Sequence, residues 1–137
     1  MQLNQFYVII FFTMFRPEIK VLDCTLRDGG LINNHQFDDK FVKAVYRAIC
    51  ASGIDYIEMG YRASKQSFSP EKFGKCKFCD EDYLRKIIEG VETKTKISVM
   101  VDIGRVDTDQ IPEKKDSVVD MVRVACYIKE VDRKSVV

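Results

Sequence analysis

The sequence predicts an α/β fold on two observations. From residue 18 onward, short β-rich apolar runs alternate with segments of helical spacing. The 137 residues, 46% hydrophobic and 31% charged with three prolines, also have the composition of a domain with a real core. That composition excludes disordered, collagenous and multi-span membrane classes. Strand, helix, strand repeated three times requires right-handed parallel crossovers, and a parallel sheet needs helices over both faces.

Four runs read as strands: residues 19–23 (IKVLD), 54–59 (IDYIEM), 97–102 (ISVMVD) and 121–126 (MVRVAC). Between the first two, Asp38 or Asp39 can cap a helix whose Phe41, Val42, Val45, Ala48 and Ile49 share one face, with Gly53 as its stop. A second helix is expected to start near Asp80, turn Tyr83, Leu84, Ile87 and Ile88 inward and end at Gly90. Its acidic Asp80, Glu81 and Asp82 would lie at the positive end of the helix dipole. A third, more weakly patterned helix is expected between Asp107 and Val119, with Pro112 in its first turn.

Two architectures use this repeat, the closed eight-unit barrel of about 250 residues and the open doubly wound sheet. Four strands in 137 residues amount to half a barrel. On that reading the first and fourth strands carry unpaired edges, so the chain needs its other half or an oligomeric partner. The polar tail at residues 129–137 (KEVDRKSVV) shows no complete fourth helix, as expected of a barrel cut after its fourth strand. Against the open nucleotide-binding sheet, neither G-x-G-x-x-G nor G-x-x-x-x-G-K-[ST] occurs.

Residues 6–15 (FYVIIFFTMF) form an apolar run with no charge before Arg16. The run is too short for a bilayer span of about 20 residues. It also lacks the basic lead and small-residue cleavage site of a signal peptide. Residues 1–15 are therefore set apart from a domain at 16–137, either as an extension upstream of Met14 or as an added strand. Twenty-two Lys and Arg against 21 Asp and Glu give a net charge of +1, no field to draw in nucleic acid or an acidic membrane. Five cysteines, odd in number and sparse, read as reduced thiols of a cytoplasmic protein.

The chemistry concentrates where the first strand ends, at Asp23, Cys24, Thr25, Leu26, Arg27, Asp28, Gly29 and Gly30. In a parallel α/β sheet the carboxyl ends of the strands form the site. Arg27 beside Asp28 offers a fixed cation and a hard oxygen ligand, able to hold a divalent metal and stabilise an enolate or carboxylate oxygen. A strand-end salt bridge followed by a glycine turn is the structural alternative.

The string LDCTLRDGG resembles the D-x-T-L-R-D-G signature of the DRE-TIM metallolyases, which are metal-dependent aldolase and acyltransferase barrels. IEMGYR in the second strand is similar to that family's I-E-x-G segment. The resemblance spans about residues 18–128, is closest to the 4-hydroxy-2-oxovalerate aldolase-like members, and implies the N-terminal half of a TIM (β/α)8 barrel. It implies a carbon–carbon lyase or condensing enzyme of aldol or Claisen type, acting on a 2-oxo acid such as pyruvate. By the same resemblance Asp28 is a ligand of a divalent metal, Mg or Mn, and Arg27 stabilises the enolate oxygen. Asp23 and Thr25 support the loop, and Glu58 faces the same mouth as a substrate contact.

The departures are specific. The family takes two further metal ligands from a His-x-His pair on a late strand, whereas the only histidine here is His35. The aldolase branch places a catalytic histidine three residues after the motif aspartate, where this chain has Leu31, which transfers no proton. His35 is then the nearest candidate base, or else a loop residue packing near Phe37. A barrel that kept its shape, lost its acid–base group and binds a small molecule without catalysis is the rival reading.

Tyr61 and Arg62 lie just beyond the second strand and are candidate contacts to a substrate carboxylate. Asp102, Arg105, Tyr127 and Lys129 are rim candidates by position. Cys76 and Cys79 form a C-x-x-C with no second pair, so it reads as incidental to a loop. Phe68, Phe73 and Phe78 in the same segment are expected to pin that loop to the barrel.

Overall fold

The computed structural model describes residues 18–128. The apolar lead of residues 1–15, Lys129 and the polar tail lie outside the described residues. Four parallel strands make one sheet in the order β1-β2-β3-β4: β1 (Leu22–Asp23), β2 (Tyr56–Tyr61), β3 (Lys96–Asp102) and β4 (Met121–Ala125). Strands laid down side by side in chain order, with no switch point, are the arrangement of a barrel wall. A doubly wound sheet reverses its strand order partway.

A five-residue helix, α1 (Thr25–Gly29), follows β1 directly and buries Leu26. The expected helix α2 (Asp39–Ser52) forms between Asp38 and Gly53. The Asp38 carboxylate accepts from the Lys40 N–H at 2.6 Å, a cap contributing about 1 kcal/mol. Gly53 closes the other end in the left-handed region, φ 75°, its N–H donating to the Cys50 carbonyl. The buried stripe is centred on Val42 and Tyr46 with Val45 and Ile49 beside them. Phe41 lies half-exposed, stacked on Phe37 at 5.6 Å, and Ala48 faces solvent. The face is therefore rotated one position from the expected one, because the large Tyr46 ring buries more apolar area than Ala48.

Helix α3 (Glu81–Ile88) turns Tyr83, Leu84 and Ile87 inward as expected. Both helices pack on the sheet face bearing Ile57, Met59, Ile97 and Val99. The expected helix between Asp107 and Val119 does not form. Two single 3-10 turns, Thr108–Gln110 and Lys114–Asp116, take its place. Pro112 lies between them without an N–H to donate, and the following Glu113, Lys114, Lys115 and Asp116 offer no apolar stripe. No described helix is long and apolar enough to cross a membrane.

β2 carries an irregularity: Glu58 pairs with Ser98, but Tyr61, three residues on, pairs with Met100. The extra residue is a β-bulge at Met59 and Gly60, with Gly60 at φ 154°. Without the bulge Gly60 would stand opposite Met100. With it, Tyr61 joins Glu58 on the face away from the helices, which in a barrel is the interior.

Candidate active site

Side chains from the turn after β1 and from within β3 and β4 converge on Glu58 in β2. Its carboxylate is fully buried, and a buried charge persists only where partners surround it. Arg27 Nε donates to Glu58 Oε2 at 2.9 Å, Arg123 donates to the same oxygen at 3.4 Å, and the Cys24 thiol donates to it at 3.5 Å. The Ser98 hydroxyl donates to Oε1 at 3.4 Å. The second arm of Arg27 meets Asp28 at 2.6 Å. Arg27 is thus a bridge between an enclosed carboxylate beneath it and a carboxylate that is 58% exposed above it.

Burial works against the Arg27 charge, but hydrogen bonds to Glu58 and Cys24 and the attraction of Glu58 and Asp28 outweigh it and raise its pKa. Burial and the Glu58 carboxylate push the Cys24 thiol up against the pull of Arg27. The loop beneath is held as expected, Asp23 accepting from the Thr25 N–H at 3.1 Å and from its hydroxyl at 2.9 Å.

The structure gives several expected site residues other surroundings. Glu58, expected as a substrate contact, is wholly enclosed among the described residues and accepts from Arg27. His35, expected as a candidate base, is 2% exposed, and its Nδ1 is enclosed with no partner among the described residues. Its ring packs edge-on to Tyr61 at 5.4 Å and covers Gly30, where any Cβ would run into it. Burial, then the charges of Lys77 and Arg27, lower its pKa to about 4. Leu31, at the position where the family carries a catalytic histidine, is exposed.

Tyr61 lies on the site face, and burial raises its pKa, with Arg27 opposing and Asp102 and Asp28 adding to the rise. Arg62, expected to reach a substrate carboxylate, has protein partners. It donates to Glu81 at 2.8 Å and to the Cys79 carbonyl at 3.0 Å. Glu81 in turn accepts from the Ser117 hydroxyl and the Val118 N–H, so Arg62 fastens α3 and the β4 approach to β2. Cys76 and Cys79, the C-x-x-C read as incidental, are buried free thiols. The rim residues Arg105 and Tyr127 pack together, the guanidinium 5.4 Å from the ring centroid.

Ser98 and Arg123 escaped the sequence reading. The signal for each was a polar residue at the middle of an apolar strand, ISVMV and MVRVA, which marks a strand whose inner face is polar. Asp28 is accessible enough to be one oxygen ligand of a metal, but the described residues contain no group of three or more His, Cys, Asp or Glu that could hold one.

No protein-family model matches the chain. Among curated proteins it is similar to 4-hydroxy-2-oxovalerate aldolase 6 of Rhodococcus jostii, 26% identical over 85% of this chain and 32% of that protein. It is also similar to the 4-hydroxy-2-oxovalerate aldolase of Pelotomaculum thermopropionicum, 30% identical over 85% of this chain and 34% of that one. The chain spans about a third of the length of the curated relatives it matches. Among solved structures it matches the N-terminal domain of a protein assigned as an aldolase from Bacteroides vulgatus. The TM-score is 0.64 and the identity 31%, over 84% of this chain and 38% of that one. The resemblance carried by LDCTLRDGG extends across most of the chain, which is similar over that span to proteins named 4-hydroxy-2-oxovalerate aldolase and to the N-terminal domain of an aldolase.

Proposed function

We propose that this chain contributes the enolate-stabilising corner of a metal-dependent carbon–carbon lyase or condensing enzyme acting on a 2-oxo acid such as pyruvate. The single observation that carries this is the Glu58–Arg27–Asp28 chain of ion pairs, an enclosed carboxylate locking a guanidinium whose far arm reaches an exposed carboxylate. Breaking or forming the bond beside the carbonyl leaves negative charge on the carbonyl oxygen. A guanidinium already fixed in place stabilises that oxygen without reorganising at the moment of reaction. Asp28 would supply one oxygen to a divalent ion, Mg or Mn, with the other ligands coming from outside the described residues. Such an ion, when bound, would withdraw electron density from the 2-oxo acid carbonyl.

Because the chain covers about a third of its relatives' length, the remainder of the barrel, or an oligomeric partner, would complete the site. The compartment we assign is the cytoplasm. The test is solvent deuterium exchange into the methyl group of pyruvate by a complete barrel containing this chain. Metal-dependent exchange that falls by about 100-fold in Arg27→Lys, a loss typical of one oxyanion donor, supports the reading.

The exposed Leu31 favours one second reading, a barrel that binds a small anion and catalyses nothing. Tight pyruvate binding with no exchange at any metal concentration would select it.

A further inference from the structure

Among the described residues Lys77 is the one buried lysine, and no carboxylate there lies within ion-pair distance of it. Lys20, Lys65, Lys75, Lys86, Lys114 and Lys115 each pair with a carboxylate at 3.1 Å or less. Lys77 is 7% exposed, and its contacts are aromatic: the Phe68 centroid at 4.1 Å, Tyr61 at 4.2 Å and Phe73 at 5.8 Å from Nζ. Ring faces offset part of the cost of burying a positive charge. They supply no hydrogen-bond acceptor to its three N–H donors, and no other described residue does so.

The position is fixed by the backbone. Lys77 ends a 3-10 turn, its N–H donating to the Gly74 carbonyl and its own carbonyl accepting from Ala63 just past β2. The side chain is not sealed off, since the enclosed side-chain nitrogens without partners among the described residues are His35 Nδ1 and Arg62 Nε. Tyr61 links it to the site: one face of the ring meets Lys77, and the hydroxyl senses Arg27, Asp102 and Asp28. The other charges felt at Lys77 are Asp102, which favours the ammonium, and Arg105, which opposes it, while burial lowers its pKa.

We infer that Lys77 binds an anionic oxygen, a carboxylate or phosphate, at the end of the substrate remote from its 2-oxo acid group. This rests on the proposed function for which end of the ligand lies at Arg27 and Asp28. Tyr61 packs on Lys77 at 4.2 Å and shares a sheet face with Glu58, and on this inference the anion at Lys77 is a second one. The substrate class follows: a 2-oxo acid with a further negative group, formed from or cleaved to an aldehyde that bears it. A lysine that only pins the 68–77 loop through its rings would be indifferent to anions.

The experiment titrates the whole chain, carrying 13C-labelled lysine, with inorganic phosphate, malonate or pyruvate against chloride at equal ionic strength. The readout is the Lys77 ε-methylene resonance. The inference expects a saturable shift with phosphate or malonate, and an apparent affinity at least about tenfold weaker in Lys77→Met, whose side chain keeps the apolar contacts. Near-ultraviolet circular dichroism reports that the variant stays folded, and Phe68→Leu, which retains the ammonium, should keep the shift. Binding that persists in Arg27→Met isolates this site from the enolate corner, so it stands even if no exchange activity is found. No shift in the native chain, an unchanged affinity in Lys77→Met, or loss of binding in Arg27→Met alone would each overturn it. A response to pyruvate equal to that of the dianions would overturn the assignment to a remote anion.

Discussion

Glu58 holds the site together, because a wholly buried carboxylate is satisfied only by what surrounds it, and here Arg27, Arg123, Cys24 and Ser98 do so. Glu58→Gln leaves Arg123 without its anion and Arg27 with only the exposed Asp28, and urea denaturation should show a loss of about 3 kcal/mol. Asp28→Asn removes only an exposed partner and should cost under about 1 kcal/mol in the same measurement. His35 predicts a pH dependence. Its folded pKa of about 4 lies below the unfolded value of 6.5, so the fold disfavours the proton. Stability is full above pH 6.5 and is lost as pH falls toward 4, by as much as about 3 kcal/mol. His35→Phe should flatten that part of the pH–stability curve. The pair Arg27 and Asp28 was legible in the sequence because their adjacency at a strand end is local. The enclosure of Glu58 and His35 was not, since it depends on partners tens of residues away.

At the scale of elements, the bulge in β2 aims the site. Gly60 sits where any Cβ would run into the Cys76 carbonyl, so Gly60→Ala must move either β2 or the turn carrying Cys76 and Lys77. A loss of about 1–3 kcal/mol is expected, with a changed near-ultraviolet signal from Tyr61. Helices α2 and α3 were readable because caps and apolar spacing agree with their packing, Asp38 and Gly53 marking the ends of α2. The segment from Asp107 to Val119 misled because its acidic and apolar residues imitate a helix start, while Pro112 and the charged run after it leave nothing to bury. The bulge had no local signal beyond a glycine inside a strand run, which fits close packing equally well.

For the whole molecule, strand order follows from alternation alone: consecutive parallel strands joined by crossovers lie side by side, and the sheet obeys this. Among the described residues β1 and β4 each pair with a single neighbour, and Val122 and Val124 on β4 are exposed. A barrel completed by further strands and helices would cover them. The metal prediction also belongs here, because a divalent ion needs several oxygen or nitrogen ligands in one place. Calorimetric titration of the chain with Mn should show no stoichiometric site, and tight one-to-one binding would mean that the described residues already suffice.

The central claim is that Arg27 and Asp28, locked from below by Glu58, face the open end of a barrel and together receive a 2-oxo acid. The most direct measurement is a crystal structure of a complete barrel containing this chain, with Mn and oxalate, an enolate-shaped dianion. The account predicts Mn anomalous density at the Asp28 carboxylate and an Arg27 hydrogen bond to oxalate, with the Glu58 contact retained. Metal and oxalate bound elsewhere, with Arg27 still paired only to Glu58 and Asp28, would contradict it.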